Sequence, residues 1–195
     1  MVFLAIAAGI LLLLLLIRYI RQKRKGAAIL RAGKQGEKEA TGIIRSVMRK
    51  GDILFTNIPV RYRKMRGEID NVLINESGVF LIEVKNYSGK LYGSENAAEW
   101  EKVRITRGKR IYKKTVKNPI SQVMREEALF SADFDCVRKG IPVYGYVYLL
   151  QSNSPVKSKR VLGNAREIDR AVHRGKKISA AEAKALAAEV RKRQR

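Results

Sequence analysis

A chain of 195 residues is long enough for one ordinary domain with extensions, and a formal net charge of +23, from 41 Lys+Arg against 18 Asp+Glu, favours polyanionic partners such as nucleic acid or an anionic membrane surface. The single cysteine, Cys136, excludes an intrachain disulfide, and with only one histidine, His173, a Cys/His zinc site is untenable. Any resident metal must then be held by carboxylates and carbonyls, which points to Mg²⁺ or Mn²⁺. His173, in a basic polar segment near the C-terminus, reads as a surface histidine rather than a catalytic one.

The chain opens on an unbroken apolar run, Val2 to Ile17, followed by Arg18, Tyr19, Ile20, Arg21, Lys23, Arg24 and Lys25. A helix from Val2 to Ile20 would be about 28 Å long, close to the hydrocarbon thickness of a bilayer. The start carries no Lys or Arg and no small-x-small site follows, which argues against a cleaved signal peptide. The run has no polar face, which argues against an interfacial helix. A single transmembrane anchor over residues 1–20 is expected, with Arg18 snorkelling and Tyr19 at headgroup level. Residues 21–32 then form a basic juxtamembrane linker able to touch anionic lipid. The positive-inside rule leaves the N-terminus outside and the domain in the cytoplasm.

Gly26 to Lys50 predicts a helix with the apolar stripe Ala40, Ile43, Ile44, Val47 and Met48, although Gly33 and Gly36 weaken its first half. Gly51-Asp52 is a turn. Ile53 to Tyr62 predicts a strand, with Pro59 marking an edge or a bulge. A basic loop, Arg61 to Gly67, precedes strands over 68–75 and 79–85. Residues 86–117 predict a basic inserted hairpin whose Tyr92, Trp100 and Tyr112 lie among nine Lys and Arg. That mixture suits a phosphate backbone and its bases, the alternative being a solvated hairpin with its aromatics turned to the core. Asn118-Pro119 starts a helix, as N-cap and first-turn proline, that is expected to run to Arg138 and stop at Gly140. Val143 to Leu150 predicts a core strand and Val161-Leu162 a short one. Asn164 caps a helix to about His173, and Ser179 with Glu182 fits a capping box for the last helix.

Charge sits where burial is expected. Alternation places Val79, Leu81, Glu83 and Lys85 on one face of their strand. Burying such charges costs several kcal/mol each unless they pair or bind a metal. Asp70 lies on the strand before. An acid followed by acid-x-lysine suits a divalent cation and a phosphate. An ion pair on an edge strand is the plainer alternative for Glu83 and Lys85, worth under about 1 kcal/mol. Glu68 shares the Asp70 face by alternation and is the alternative ligand there, while Asn71 faces the other side.

Four motifs in order resemble the nuclease-related domain (NERD) family of the restriction-endonuclease-like PD-(D/E)xK superfamily. They are Gly36-Glu37-Lys38-Glu39, Gly67 to Ile74, Ile82 to Gly89, and Asn118-Pro119-Ile120-Ser121-Gln122. The resemblance implies a mixed α/β (α+β) fold: an αβββαβ core around a mixed central sheet over residues 33–150, beside the N-terminal transmembrane helix and C-terminal helices over 151–195. It implies Asp70, Glu83, Lys85 and Gln122 as catalytic residues. It implies Glu37, Asp70, Glu83 and the Val84 carbonyl as metal ligands. Family members often carry histidine at the Asn71 position, so no general-base role transfers there. Arg61, Arg63, Lys64, Arg66, Lys102, Arg104, Arg107, Lys109 and Arg110 are expected to contact nucleic acid. The expected function is a membrane-anchored, Mg²⁺-dependent nuclease acting on DNA or RNA, with a homodimer where paired cuts need one. The alternative is a tethered, non-catalytic binder of nucleic acid or anionic surfaces.

Overall fold

The computed structural model describes the backbone of residues 2–151 and 153–194, and the side chains of these except residues 2–11, 13 and 25. The chain divides into two units, residues 1–35 and 36–195.

The first unit is helical throughout its described residues, as part of α1 (Val2–Ser46). Leu12, Leu14, Leu15, Leu16 and Ile17 are exposed. Among the described residues no helix is long and apolar enough to cross a membrane. Of the expected span, the described side chains are Leu12 and Leu14–Ile20, with Arg18 among them. The rest of the expected span, residues 1–11 and 13, lies outside the described side chains. The single-pass membrane anchor, and the placement derived from it, therefore do not stand. The helix also continues through Gly33 and Gly36, where weakness was expected, and begins before Gly26, where it was expected to start. Each glycine costs roughly 1 kcal/mol relative to alanine, too little to stop a helix rich in Ala, Leu, Arg, Lys, Gln and Glu.

The second unit holds, in chain order, the end of α1, β1 (Ile53–Tyr62), β2 (Met65–Asn75), β3 (Gly78–Lys85), β4 (Lys90–Tyr92), β5 (Glu99–Ile105), β6 (Ile111–Lys117), α2 (Pro119–Asp133), β7 (Val143–Leu149), β8 (Val161–Leu162), α3 (Ala165–Val172) and α4 (Ala180–Arg193). Five strands form a mixed sheet in the order β1-β2-β3-β7-β8. β1, β2 and β3 run antiparallel, while β3, β7 and β8 run parallel. Both faces are covered. On one, Val72, Ile74, Val79 and Leu81 pack against Leu129 and Phe130 of α2 and Leu186 and Val190 of α4. On the other, Leu73, Phe80, Ile82 and Tyr146 pack against Ala40 and Ile44 of α1 and Ile168 and Val172 of α3. A strand covered on both sides has no solvent face to hold polar residues, which is why β3 reads as a near-continuous apolar run.

β4, β5 and β6 form a separate antiparallel sheet inserted between β3 and α2. Its base is core: Leu91 and Trp100 are fully buried with Ile120, Val123 and Val147. Tyr92 and Tyr112 are exposed, so of the three aromatics Trp100 alone turns to the core. α2 ends earlier than expected, at Asp133, because Phe134 caps it and Cys136 turns back to donate to the Ser131 carbonyl.

Candidate functional site

The β1–β2 hairpin changes phase at one point. Pairing runs from Ile53↔Ile74 to Thr56↔Asn71, skips Asn57 and Asp70, and resumes at Ile58↔Ile69. Asn57 adopts φ 54°, a conformation asparagine tolerates better than most residues. As a result Ile69 joins Val72 and Ile74 in one core cluster, where strict alternation would place it with Leu73. Glu68, expected to share the Asp70 face, is exposed.

At the same level β2 parts from β3. Their pairing ends at Asn71↔Ile82. The main chain of Val84 therefore lacks a partner on β2, and the Asp70 side chain takes its place: Val84 N donates to Asp70 Oδ2 at 2.8 Å. The N–H and C=O of one strand residue face the same neighbour, so the Val84 carbonyl also faces this gap. The result is a notch between two strands.

Lys85, at the end of β3, spans the notch. Its Nζ donates to Glu83 Oε1 at 2.5 Å and to Gln122 Oε1 at 3.0 Å. Gln122 Nε2 in turn donates to Glu126 Oε1 at 2.8 Å. Glu83 and Glu126 are buried, and Glu83 Oε2 and Glu126 Oε2 have no hydrogen-bond partner among the described residues. Burial raises the Asp70 carboxyl to about 7, with the Glu83 charge next in importance and Glu37 adding, against the opposing Val84 N–H and Lys85. Burial likewise raises Glu126 to about 7, again with Glu83 second. Burial alone would lower the Lys85 ammonium, but the charge and hydrogen bond of Glu83 outweigh it and the net shift is upward.

The flanking elements are held by specific contacts. A Cβ on Gly36 would lie 2.9 Å from Asn86 Cβ, so glycine is what lets this turn of α1 lie against the residue after Lys85. The next residue, Glu37, then acts electrostatically on Asp70. Thr41 Oγ1 donates to Asn71 Oδ1 at 2.8 Å, fixing α1 to the far face of β2 as expected for Asn71. Asn118 Oδ1 accepts from Ile120 N at 2.9 Å, and its Nδ2 donates to the Glu95 and Ala97 carbonyls. That cap ties the base of the ribbon to α2 and sets Gln122 one turn along, beside Lys85. At Gly145 a Cβ would meet the Val123 carbonyl at 2.9 Å, so α2 can lie close on β7.

Asp70, Glu83, Lys85 and Gln122 thus meet, with Glu37 at the margin. The ready ligand set does not. Among the described residues no group of three or more His, Cys, Asp or Glu is placed to hold a metal ion. One Asp70 oxygen is engaged by Val84 and one Glu83 oxygen by Lys85. The donor set nevertheless suits a hard cation: it is all oxygen, and Glu83 Oε2 is buried without a partner, as is Glu126 Oε2 next to it. Glu126 went unread in the sequence. It continues the buried stripe Ile120, Val123, Leu129 and Phe130 of α2, the helical counterpart of an acid in an apolar strand row.

The basic residues fall into two sets at opposite ends of α2. Arg61 N donates to Asp133 Oδ2 at the helix C-terminus, so the hairpin turn with Arg63, Lys64 and Arg66 lies about 16 Å along the axis from Gln122. Lys102, Arg104, Arg107, Lys109 and Arg110 belong to the ribbon, which joins the helix N-terminus. A hollow of about 740 Å³ beside Gln122 carries Lys117 and Arg125.

His173 is not a surface residue. Its Nε2 lies 3.0 Å from Asp52 Oδ2 and its Nδ1 2.7 Å from Asp169 Oδ1. Asn75 Nδ2 donates to Asp52 Oδ1 at 3.0 Å and Arg49 Nη2 to Asp169 at 2.8 Å. Its acidic partner Asp52 is 121 positions away in the chain, so the basic local sequence around His173 gave no sign of it.

The sequence matches the family described as nuclease-related domain over residues 32–150. It is also 37% identical over 92 residues to an uncharacterized protein of Bacillus anthracis, covering 46% of this chain and 41% of that protein. The chain therefore spans less than half the length of this relative. No solved structure matches the chain.

Proposed function

Because the chain belongs to the nuclease-related domain family, we propose that its notch hydrolyses phosphodiester bonds of DNA or RNA with Mg²⁺ or Mn²⁺ as cofactor. The observation that carries the reading is the Glu83–Lys85–Gln122–Glu126 chain beside Asp70, which leaves two buried carboxylate oxygens without a partner. Asp70 and Glu83 would hold the cation, with the Val84 carbonyl and Glu37 at its margin. Once bound, such an ion supplies positive charge to the scissile phosphate and lowers the pKa of a coordinated water.

The protein's own residues do the rest. Lys85 is a protonated donor at the mouth of the notch, placed to stabilise negative charge that builds on the phosphate oxygens. Gln122 holds it through a neutral amide oxygen, so Lys85 keeps its orientation when Glu83 turns to another partner. Glu126 fixes which way that amide faces, since its carboxylate oxygen accepts only from the Gln122 NH₂ side. Glu126, a carboxyl poised near pH 7, can hold or release a proton during turnover. Lys117 and Arg125 offer phosphate contacts beside the reacting bond.

The test is divalent-cation-dependent cleavage of nucleic acid by the purified chain, with Asp70→Ala and Lys85→Ala as controls. Equal cleavage by wild type and both variants would mean a contaminant. The formal charge of +23 also favours a second reading, a non-catalytic binder of nucleic acid or anionic surfaces. That reading requires salt-sensitive binding that survives Asp70→Ala, with no turnover in any divalent cation.

A further inference from the structure

The ribbon has two unlike faces. Register places Trp100 opposite Val116, Lys102 opposite Lys114 and Arg104 opposite Tyr112, all on one side. The other side carries Glu99, Glu101 and the tip pair Ile105 and Ile111, with Lys113 joined to Glu101 at 2.9 Å. Acids of β5 are thus confined to one face. The opposite face starts as core at Trp100 and becomes cationic and aromatic toward the tip. There Lys102, Arg104, Tyr112 and Lys114 line a hollow of about 600 Å³ together with Ser88. Tyr112 is 54% exposed within this cationic surround. At the hollow's inner end Lys102 Nζ lies 5.6 Å from the Tyr87 ring centre. Tyr87 and Ser88 follow Lys85 by two and three residues, so this face begins where the notch ends.

We infer that this face binds single-stranded nucleic acid and leads it into the notch. The inference rests on the phosphodiester reading above and names its substrate class. Cations along a strand pair track a phosphate backbone, and an exposed tyrosine among them offers a stacking platform that any base can use. The hollow admits unstacked bases, whereas a duplex keeps its bases stacked inside and presents only phosphates and groove edges. A platform for base faces is of no use to a duplex. One strand also needs only one notch.

The full chain in EDTA is titrated into a labelled 20-nucleotide oligo(dT), a labelled hairpin duplex, and phosphatidylserine vesicles. Oligo(dT) should bind more tightly than the duplex. Tyr112→Ala should weaken oligo(dT) binding about 5- to 150-fold, and Tyr112→Phe should restore it. Lys102→Ala should lower the slope of log K against log salt by about 0.7. Tyr112 is exposed, and an unchanged melting curve for each variant confirms folding. Duplex binding as tight as oligo(dT), or a Tyr112→Ala variant that binds oligo(dT) like wild type, overturns the inference. So does a Tyr112→Ala defect confined to the vesicles, which would make the face a lipid contact. Because binding is read without turnover, tight oligo(dT) binding by a chain that cleaves nothing would sink the hydrolase reading alone.

Discussion

The notch and the His173 cluster are built from similar parts. Each gathers carboxylates, at least one basic side chain and one side-chain amide where strands meet helices. In the His173 cluster every acid is matched: Asp52 by His173, Asn75 and the Arg49 main chain, and Asp169 by His173 and Arg49. The hydrogen bond from His173 leads in holding the Asp169 carboxyl below its usual range. In the notch the acids face one another, two of their oxygens are unmatched, and two carboxyls sit near 7. Matched polar groups lock elements together, whereas unmatched ones store repulsion that a ligand can relieve. The first cluster therefore reads as structure and the second as chemistry.

The largest expected break between the two lies in turnover. Asp70→Asn or Lys85→Ala should lower single-turnover cleavage about 10²–10⁴-fold while leaving the fold intact. His173→Ala should do the reverse. It removes one of the three partners of Asp52 and should cost about 1–3 kcal/mol in urea denaturation, with cleavage unchanged at temperatures where the variant stays folded. Loss of cleavage alongside full stability in that variant would erase the distinction.

Glu126→Gln sharpens it further. A carboxyl whose folded pKa is raised from 4.5 to about 7 contributes stability that is complete below its unfolded value and lost as pH rises through about 7. Glutamine cannot ionise, so the variant should be more stable than wild type at pH 8 by roughly 1–2 kcal/mol, or about 2–8 °C. At pH 4 the advantage should vanish. Thermal melts at the two pH values decide the matter. The smallest expected effect is a ligand shift. In EDTA the wild-type melting temperature should fall between pH 5 and pH 8, and Mn²⁺ at twice its Kd should restore about 0.6 kcal/mol. The same addition should leave Asp70→Asn nearly unmoved.

How much could be read without coordinates follows from how local each signal is. Asp70, Glu83 and Lys85 stand out because strand alternation is a two-residue rule and β3 is apolar around them. The Asn118 cap and the Ser179–Glu182 capping box are equally local, and both form. Glu126 is harder. It stands next to Glu127, and only the packing of α2 on β7 decides that Glu126 turns toward the notch while Glu127 accepts from Gly145 N and pairs with Arg160. Glu68 misleads because the pleat changes phase between it and Asp70, an event that depends on the facing Asn57 across the hairpin. His173 misleads because its acids come from a turn after α1 and from its own helix, α3, folded against each other.

The skipped pair Asn57 and Asp70 separates the long hairpin into an inner half that carries the acid and an outer half from Ile58 to Ile69. The register is the same on both sides of the skip, from Thr56↔Asn71 to Ile58↔Ile69. Lengthening, shortening or recharging the outer arm by whole residue pairs would leave Asp70 facing β3. The outer arm of this chain can therefore be altered in length or charge without disturbing the acid at its root.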